Sequence, residues 1–187
     1  MTKHRSRRRL VYPPLIFLIV ALAAYGLISC TFGFDPNQPG SGGNTGGDSP
    51  QGETAQVVTV VDGDTIDVRL ASGQVLPVRY IGINTPERDE VCYREAREAN
   101  RLLVQGQTVT LVADAEDRDR FDRLLRYVYV GSMDVNRALV EQGFAEAVLY
   151  PPNDAHYDEY LSLEREARAA NRGCHPTGIF NDGSDTR

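Results

Sequence analysis

The sequence predicts an α+β fold: a small, partly open five-stranded β-barrel of the OB type, with about three helices. Three observations carry that expectation. Two runs of β-branched residues, Val57 to Val61 and Thr65 to Leu70, meet at Asp62-Gly63, a dipeptide that favours a tight hairpin turn. Three further strand-like runs follow, and helical spacing appears only after the third strand and beyond the fifth.

In chain order, Ile66, Val68 and Leu70 alternate with Thr65, Asp67 and Arg69, the period of a strand with one face buried. A turn at Ala71-Ser72-Gly73 returns the chain into Val75 to Ile83, which stops at Asn84-Thr85-Pro86-Glu87. From Tyr93 to Val104, Ala96, Ala99 and Leu103 recur at helical intervals, the charged residues lie outside as plain solvent surface, and Gly106 follows. Thr108 to Val112 and Leu124 to Val130 are the fourth and fifth strands. Met133 to Gln142 is a short helix started by Asp134 or Ser132 and closed by Gly143. The last helix runs from about His156 to Arg172, with Asp154 as N-cap and Gly173 as terminator.

The N-terminus is organised differently. Lys3, Arg5, Arg7, Arg8 and Arg9 precede an apolar run from Leu15 to Ile28, so residues 1–29 read as a signal peptide or N-terminal membrane anchor. Leu27-Ile28-Ser29-Cys30 resembles a bacterial lipobox, making Cys30 a lipidation site and the membrane a partner. Either reading places the following domain outside the cytoplasm, membrane-tethered or secreted. Residues 30–53 form a Gly, Pro and Ser-rich tether, residues 54–181 the folded domain, and residues 182–187 a polar tail.

Loss of the five basic residues of the leader takes Lys+Arg from 20 to 15 against 26 Asp+Glu, a formal charge of about −11 for the mature part. That balance argues against tight, non-specific binding to a polyanion; a hydrolase needs only a favourable local field at its cleft. Apart from Cys30, two cysteines remain. In an oxidising compartment Cys92 and Cys174 are candidates for a disulfide, with two buried free thiols as the alternative.

Asp62, Asp64 and Asn84 are oxygen donors at two strand ends that neighbouring strands could bring together, a donor set for a hard cation. The haloacid-dehalogenase pattern and the EF-hand both fail at Ile66. Arg79, flanked by Val78, Tyr80 and Ile81, must face a cleft or a partner to offset desolvation; an ion pair with Glu87 is the structural alternative.

Together, V-D-G-D-T, V-R-Y-I-G-I-N-T-P-E, D-R-F-D-R, D-V-N-R-A-L-V-E-Q-G-F-A and Y-P-P-N, in this order over about residues 55 to 180, resemble the staphylococcal nuclease (thermonuclease) family. The resemblance implies a Ca²⁺-dependent nuclease acting on DNA or RNA with little sequence preference, leaving 3′-phosphate ends. It implies Asp64 and Asn84 as metal ligands with the main-chain carbonyl of Thr85, Glu87 as the group that activates or orients the attacking water, and Arg79 and Arg123 as groups that grip the phosphate and stabilise the charge of the transition state. Tyr150 would be a substrate-binding residue. Asn84 replaces the commoner aspartate, which implies weaker Ca²⁺ binding or another divalent ion; Phe121 lacks a hydroxyl common in the family, and Val148 stands where the aromatic partner of the Tyr150 position often is, which implies poorer substrate stacking. No obligate protein partner is evident. A non-catalytic OB-type binding module is the competing reading.

Overall fold

A computed structural model describes residues 50–181 of the chain. Cys30, the expected lipidation site, and the stretches expected to form a leader and a polar tail lie outside them.

Five strands form the barrel: β1 (Glu53–Val60), β2 (Thr65–Leu70), β3 (Val75–Tyr80), then β5 (Thr108–Val112) and β6 (Leu124–Val130). β4 (Ile83–Asn84) intervenes as a two-residue strand, and the helix α1 (Tyr93–Val104) follows it. Antiparallel pairing runs β3-β2-β1-β5-β6, and parallel pairing of Val78–Tyr80 with Leu124–Arg126 closes the barrel, which is thus less open than the sequence predicts. Pro77 is tolerated in β3 because the β6 pairing begins only at Val78. In β1 the register shifts between Val57 and Thr59, so Ala55 and Val57 point inward, Val58 and Thr59 outward, and Val60 inward again.

β7 (Met133–Asp134) pairs with the end of β6, and α2 (Val135–Glu141) follows at once. Asp134 is its N-cap, accepting from the Arg137 N–H at 2.9 Å. The end is a Schellman motif, with Gly143 at φ 79° and the N–H groups of Gly143 and Phe144 donating to Val140 and Leu139. β8 (Glu146–Ala147) pairs with β4, and α3 (Tyr157–Ala169) comes last. Asp154 does not cap α3: His156 holds the N-cap position without a side-chain bond, and Asp154 contributes only its carbonyl, to the Tyr157 N–H. The helix also stops short of Gly173, because Asn171 takes the left-handed conformation at φ 52° and completes the terminating motif itself.

Inside the barrel Ile66, Val68, Val78, Tyr80, Val109, Leu111, Leu124 and Val128 make the core, and Leu139, Val140, Tyr160 and Leu163 extend it under α2 and α3. Asn136 is fully buried: its Oδ1 accepts from the Val128 N–H, and its Nδ2 donates to the Ile81 carbonyl, fixing the turn from β3 to β4. Cys92 and Cys174 are joined by a disulfide, which ties the start of α1 to the segment after α3. Among the described residues no helix is long and apolar enough to cross a membrane.

Candidate functional site

The site starts from Asp64, at the head of β2. Its Oδ2 accepts from the Thr85 N–H at 2.9 Å and the Thr85 hydroxyl at 3.1 Å, and pairs with Arg79 Nη2 at 3.1 Å; its Oδ1 accepts from the Thr65 hydroxyl. Strand register explains the meeting: Arg79 lies opposite Thr65 in the β2–β3 pair, and the Tyr80 N–H donates to the Asp64 carbonyl. The turn at Gly82 then brings Asn84 and Thr85 back alongside.

Arg79 is nearly buried and its two terminal nitrogens are fully engaged. Nη1 donates to the Tyr80 and Ile83 carbonyls at 2.9 and 3.0 Å, and Nη2 donates to Asn84 Oδ1 at 3.0 Å while pairing with Asp64. The alternative partner drawn from the sequence, Glu87, is therefore not the one Arg79 takes. Asp64 wins because it is one residue along from the position directly across the strand pair, whereas Glu87 lies beyond Pro86 on an exposed turn.

The turn between β1 and β2 is held from behind by α1. Arg97 donates to the Val60 and Val61 carbonyls, and buried Asn100 donates to the Asp62 carbonyl while accepting from the Tyr80 hydroxyl. The charged face of α1 is thus not wholly solvent surface. The turn is also wider than the Asp-Gly dipeptide predicts: the Val61 and Asp62 N–H groups both donate to the Thr65 carbonyl, and Gly63 is not among the residues of positive φ. Gly63 is needed for space, since a Cβ there would stand 2.6 Å from the Thr85 hydroxyl oxygen. Burial, with Asp64 beside it, pushes the Asp62 carboxyl up to about 6.

Next to this cluster, and sharing Arg79 with it, lies a cleft of about 870 Å³. Arg118, Arg120, Phe121, Arg123 and Tyr150 line its walls. Arg123 is fixed by one edge, donating from Nε to Asp119 Oδ2 at 2.6 Å, which leaves its terminal nitrogens for another anion. Burial works to raise the Asp119 carboxyl, but the bonds from Arg123 and from the Phe121 N–H outweigh it and hold the group below its ordinary range. Phe121 is 64% exposed, with the Arg120 and Arg123 guanidinium carbons 4.7 and 5.5 Å from its ring centroid. Asn153 braces the two walls by accepting from the Glu116 N–H.

The structure therefore brings together Asp64, Arg79, Asn84 and Thr85, and places Arg79, Arg123 and Tyr150 around one cleft. Glu87 is exposed on the turn after Thr85, and no hydrogen bond or ion pair of its carboxylate occurs among the described residues. Val148 is buried in the core, away from the cleft wall. Sequence reasoning missed Glu146, a buried acid that accepts from Asn84 Nδ2 at 3.3 Å. The signal was available: Glu146 stands between Ala145 and Ala147, as Arg79 stands among apolar neighbours.

Asp64, the Thr85 carbonyl, Asn84 and nearby Asp62 are all oxygen donors, chemistry that fits a hard divalent cation. Among the described residues no group of three or more His, Cys, Asp and Glu side chains converges as a metal site.

Residues 77–174 match the family model described as staphylococcal nuclease homologue. Similar curated proteins include the SPbeta prophage-derived endonuclease YokF of Bacillus subtilis (strain 168), 38% identical over 117 residues, covering 58% of this chain and 39% of that protein. A thermonuclease of Staphylococcus hyicus is 29% identical over 157 residues, covering 81% of this chain and 90% of its own. A thermonuclease of Staphylococcus intermedius is 34% identical over 124 residues, with coverages of 63% and 73%. The matched part of this chain thus spans well under half of the Bacillus protein and most of the two staphylococcal ones.

Proposed function

The chain belongs to the staphylococcal nuclease family, and from that premise we propose that it is an extracytoplasmic, Ca²⁺-dependent phosphodiesterase that hydrolyses DNA or RNA with little sequence preference and leaves 3′-phosphate ends. The observation that carries this reading is the buried Asp64–Arg79–Asn84–Thr85 cluster opening, through Arg79, onto an arginine-lined cleft.

Asp64, Asn84 and the Thr85 carbonyl would hold the cation. When bound, such an ion neutralises phosphate charge and lowers the cost of building more of it. Arg123, tethered among the described residues by Nε alone, offers its terminal nitrogens to a phosphate in a forked contact. Arg79 contributes positive charge at the junction of cluster and cleft, where charge accumulates in the pentacoordinate transition state. Glu87, whose carboxylate is uncommitted among the described residues, is the group that takes a proton from the attacking water. Tyr150 and Phe121 give flat apolar surface on which unpaired bases stack without reading sequence. The local cleft charge answers the acidity of the rest of the chain.

The basic leader and Leu-Ile-Ser-Cys30 support export and tethering at the membrane by a lipid on Cys30 or by a retained anchor. The test is cleavage of single-stranded DNA, duplex DNA and RNA by the purified protein with Ca²⁺ titrated against EDTA, followed by analysis of the new ends. Ca²⁺-dependent cutting with 3′-phosphate ends is expected; no cutting with any divalent ion overturns the proposal.

A further inference from the structure

Glu146 is 6% exposed, and the proposed reaction does not use it. It lies directly across the β4–β8 pair from Asn84, so the two side chains share one face, and its Oε1 accepts from Asn84 Nδ2. The other end of the same amide, Oδ1, accepts from Arg79 Nη2 at 3.0 Å. A carboxamide has one accepting and one donating end, so between a guanidinium and a carboxylate it fits one way round. Turned over, its NH₂ would face the Arg79 N–H groups and its oxygen would face the oxygens of Glu146. Asn84 is only 1% exposed, so bulk solvent does not hold it in place.

We propose that Glu146 is a positioning residue of the site: its carboxylate locks the Asn84 side chain with the oxygen turned toward Arg79 and Asp64. An aspartate at 84 would present oxygen from either end and need no such lock. An asparagine presents it from one end only, and Glu146 selects that end. In this way one buried carboxylate, outside the sequence motifs, decides whether position 84 offers a donor or an acceptor to the site. The catalytic consequence rests on the nuclease reading above; the orientation of the amide does not.

The test compares wild type, E146Q, E146A, N84D and N84D/E146Q of the full chain. Three readouts are taken: the Asn84 side-chain NH₂ signal and its solvent exchange by ¹⁵N NMR without metal, Ca²⁺ affinity by calorimetry, and kcat and KM on single-stranded DNA. In E146A the NH₂ signal should lose its carboxylate-bonded shift and exchange at least about tenfold faster, and Ca²⁺ affinity should fall about tenfold, the range seen when a supporting partner of a metal ligand is removed. The loss should fall on kcat more than on KM. E146Q keeps an accepting oxygen, so NH₂ exchange, Ca²⁺ affinity and kcat should stay within about threefold of wild type. If E146A does not fold, the other pair decides: N84D sets two acceptors against each other, and E146Q supplies a donor again, so N84D/E146Q should bind Ca²⁺ about tenfold more tightly than N84D. An unchanged NH₂ signal in E146A, E146Q as damaged as E146A, or N84D no weaker than N84D/E146Q overturns the proposal. A wild type that cuts no nucleic acid overturns the nuclease reading alone, since the NMR comparison still settles the positioning role.

Discussion

Replacing Arg79 by Met tests how far the site is a single electrostatic unit. The side chain is similar in length, so the change removes charge and hydrogen bonds more than volume. What is lost is the 3.1 Å ion pair with Asp64, in which both side chains are about one-tenth exposed, together with bonds to the Tyr80 and Ile83 carbonyls and to Asn84 Oδ1. Breaking a buried pair by removing one partner costs about 3–5 kcal/mol, because the other charge stays buried. That is a large share of the roughly 5–15 kcal/mol that holds a domain together. Urea unfolding at pH 7 should therefore show R79M destabilised by about 3–5 kcal/mol. The double variant D64N/R79M removes the stranded charge, and the cycle should give a coupling of about 2–3 kcal/mol. Two carbonyls remain orphaned in both, which keeps the double variant below wild type. An R79M loss below about 1 kcal/mol, or a coupling near zero, would refute the reasoning, since it would mean that Asp64 is solvated well enough without Arg79.

Gly63→Ala should push Thr85 away from Asp64, because the new Cβ would stand within 2.8 Å of three Thr85 atoms; a loss of about 1–3 kcal/mol by urea unfolding and reduced cleavage are expected. Reduction of the Cys92–Cys174 bond, or the double change to Ala, reopens a loop of 82 residues and should cost about 4.5 kcal/mol on the chain-entropy account, read as a fall in the urea midpoint. Burial holds the His175 imidazole below its ordinary value of 6.5, against the pull of Glu164, and its Nε2 is buried without a hydrogen-bond partner among the described residues. The unfolded chain therefore binds a proton that the folded one refuses, and stability should fall as the pH drops below about 6.5 toward the depressed folded value. His175→Phe should flatten that fall between pH 7 and 5, as measured by the urea midpoint.

Much of this site was legible because it is local in sequence. Asp64, Arg79, Asn84 and Thr85 sit on two adjacent hairpin strands and the turn after them, so strand alternation and register already bring them to one end of the sheet. The β1–β2–β3 meander was legible for the same reason, and the barrel class from the run of five strands, whereas the β1–β5 and β3–β6 pairings that close it join distant segments. What could not be read depends on distant elements. The flanking alanines mark Glu146 as an acid in apolar surroundings, but not its partner: it reaches Asn84 through a pairing of two-residue strands 62 positions apart, too short to leave a period in the sequence. Arg97 and Asn100 look like ordinary helix surface until α1 is seen to lie behind the turn. Asp62-Gly63 suggested a tight turn from a local preference, whereas the space taken by Thr85 decides why glycine stands there. Asp154 resembled a helix cap by type and position, and the chain instead enters α3 two residues later with no side-chain cap.

The assignment of the site is tested most directly by single-turnover cleavage of a labelled single-stranded oligonucleotide by wild type and Glu87→Gln in Ca²⁺, with binding of the same oligonucleotide measured alongside. Glu87 carries no structural bond through its carboxylate among the described residues, so its change should leave folding and substrate affinity within about twofold while the cleavage rate falls by about 10²–10⁴-fold. A variant that cleaves as fast as wild type would contradict the assignment, because the cluster of Asp64, Arg79, Asn84 and Thr85 would then be working without the base given to it.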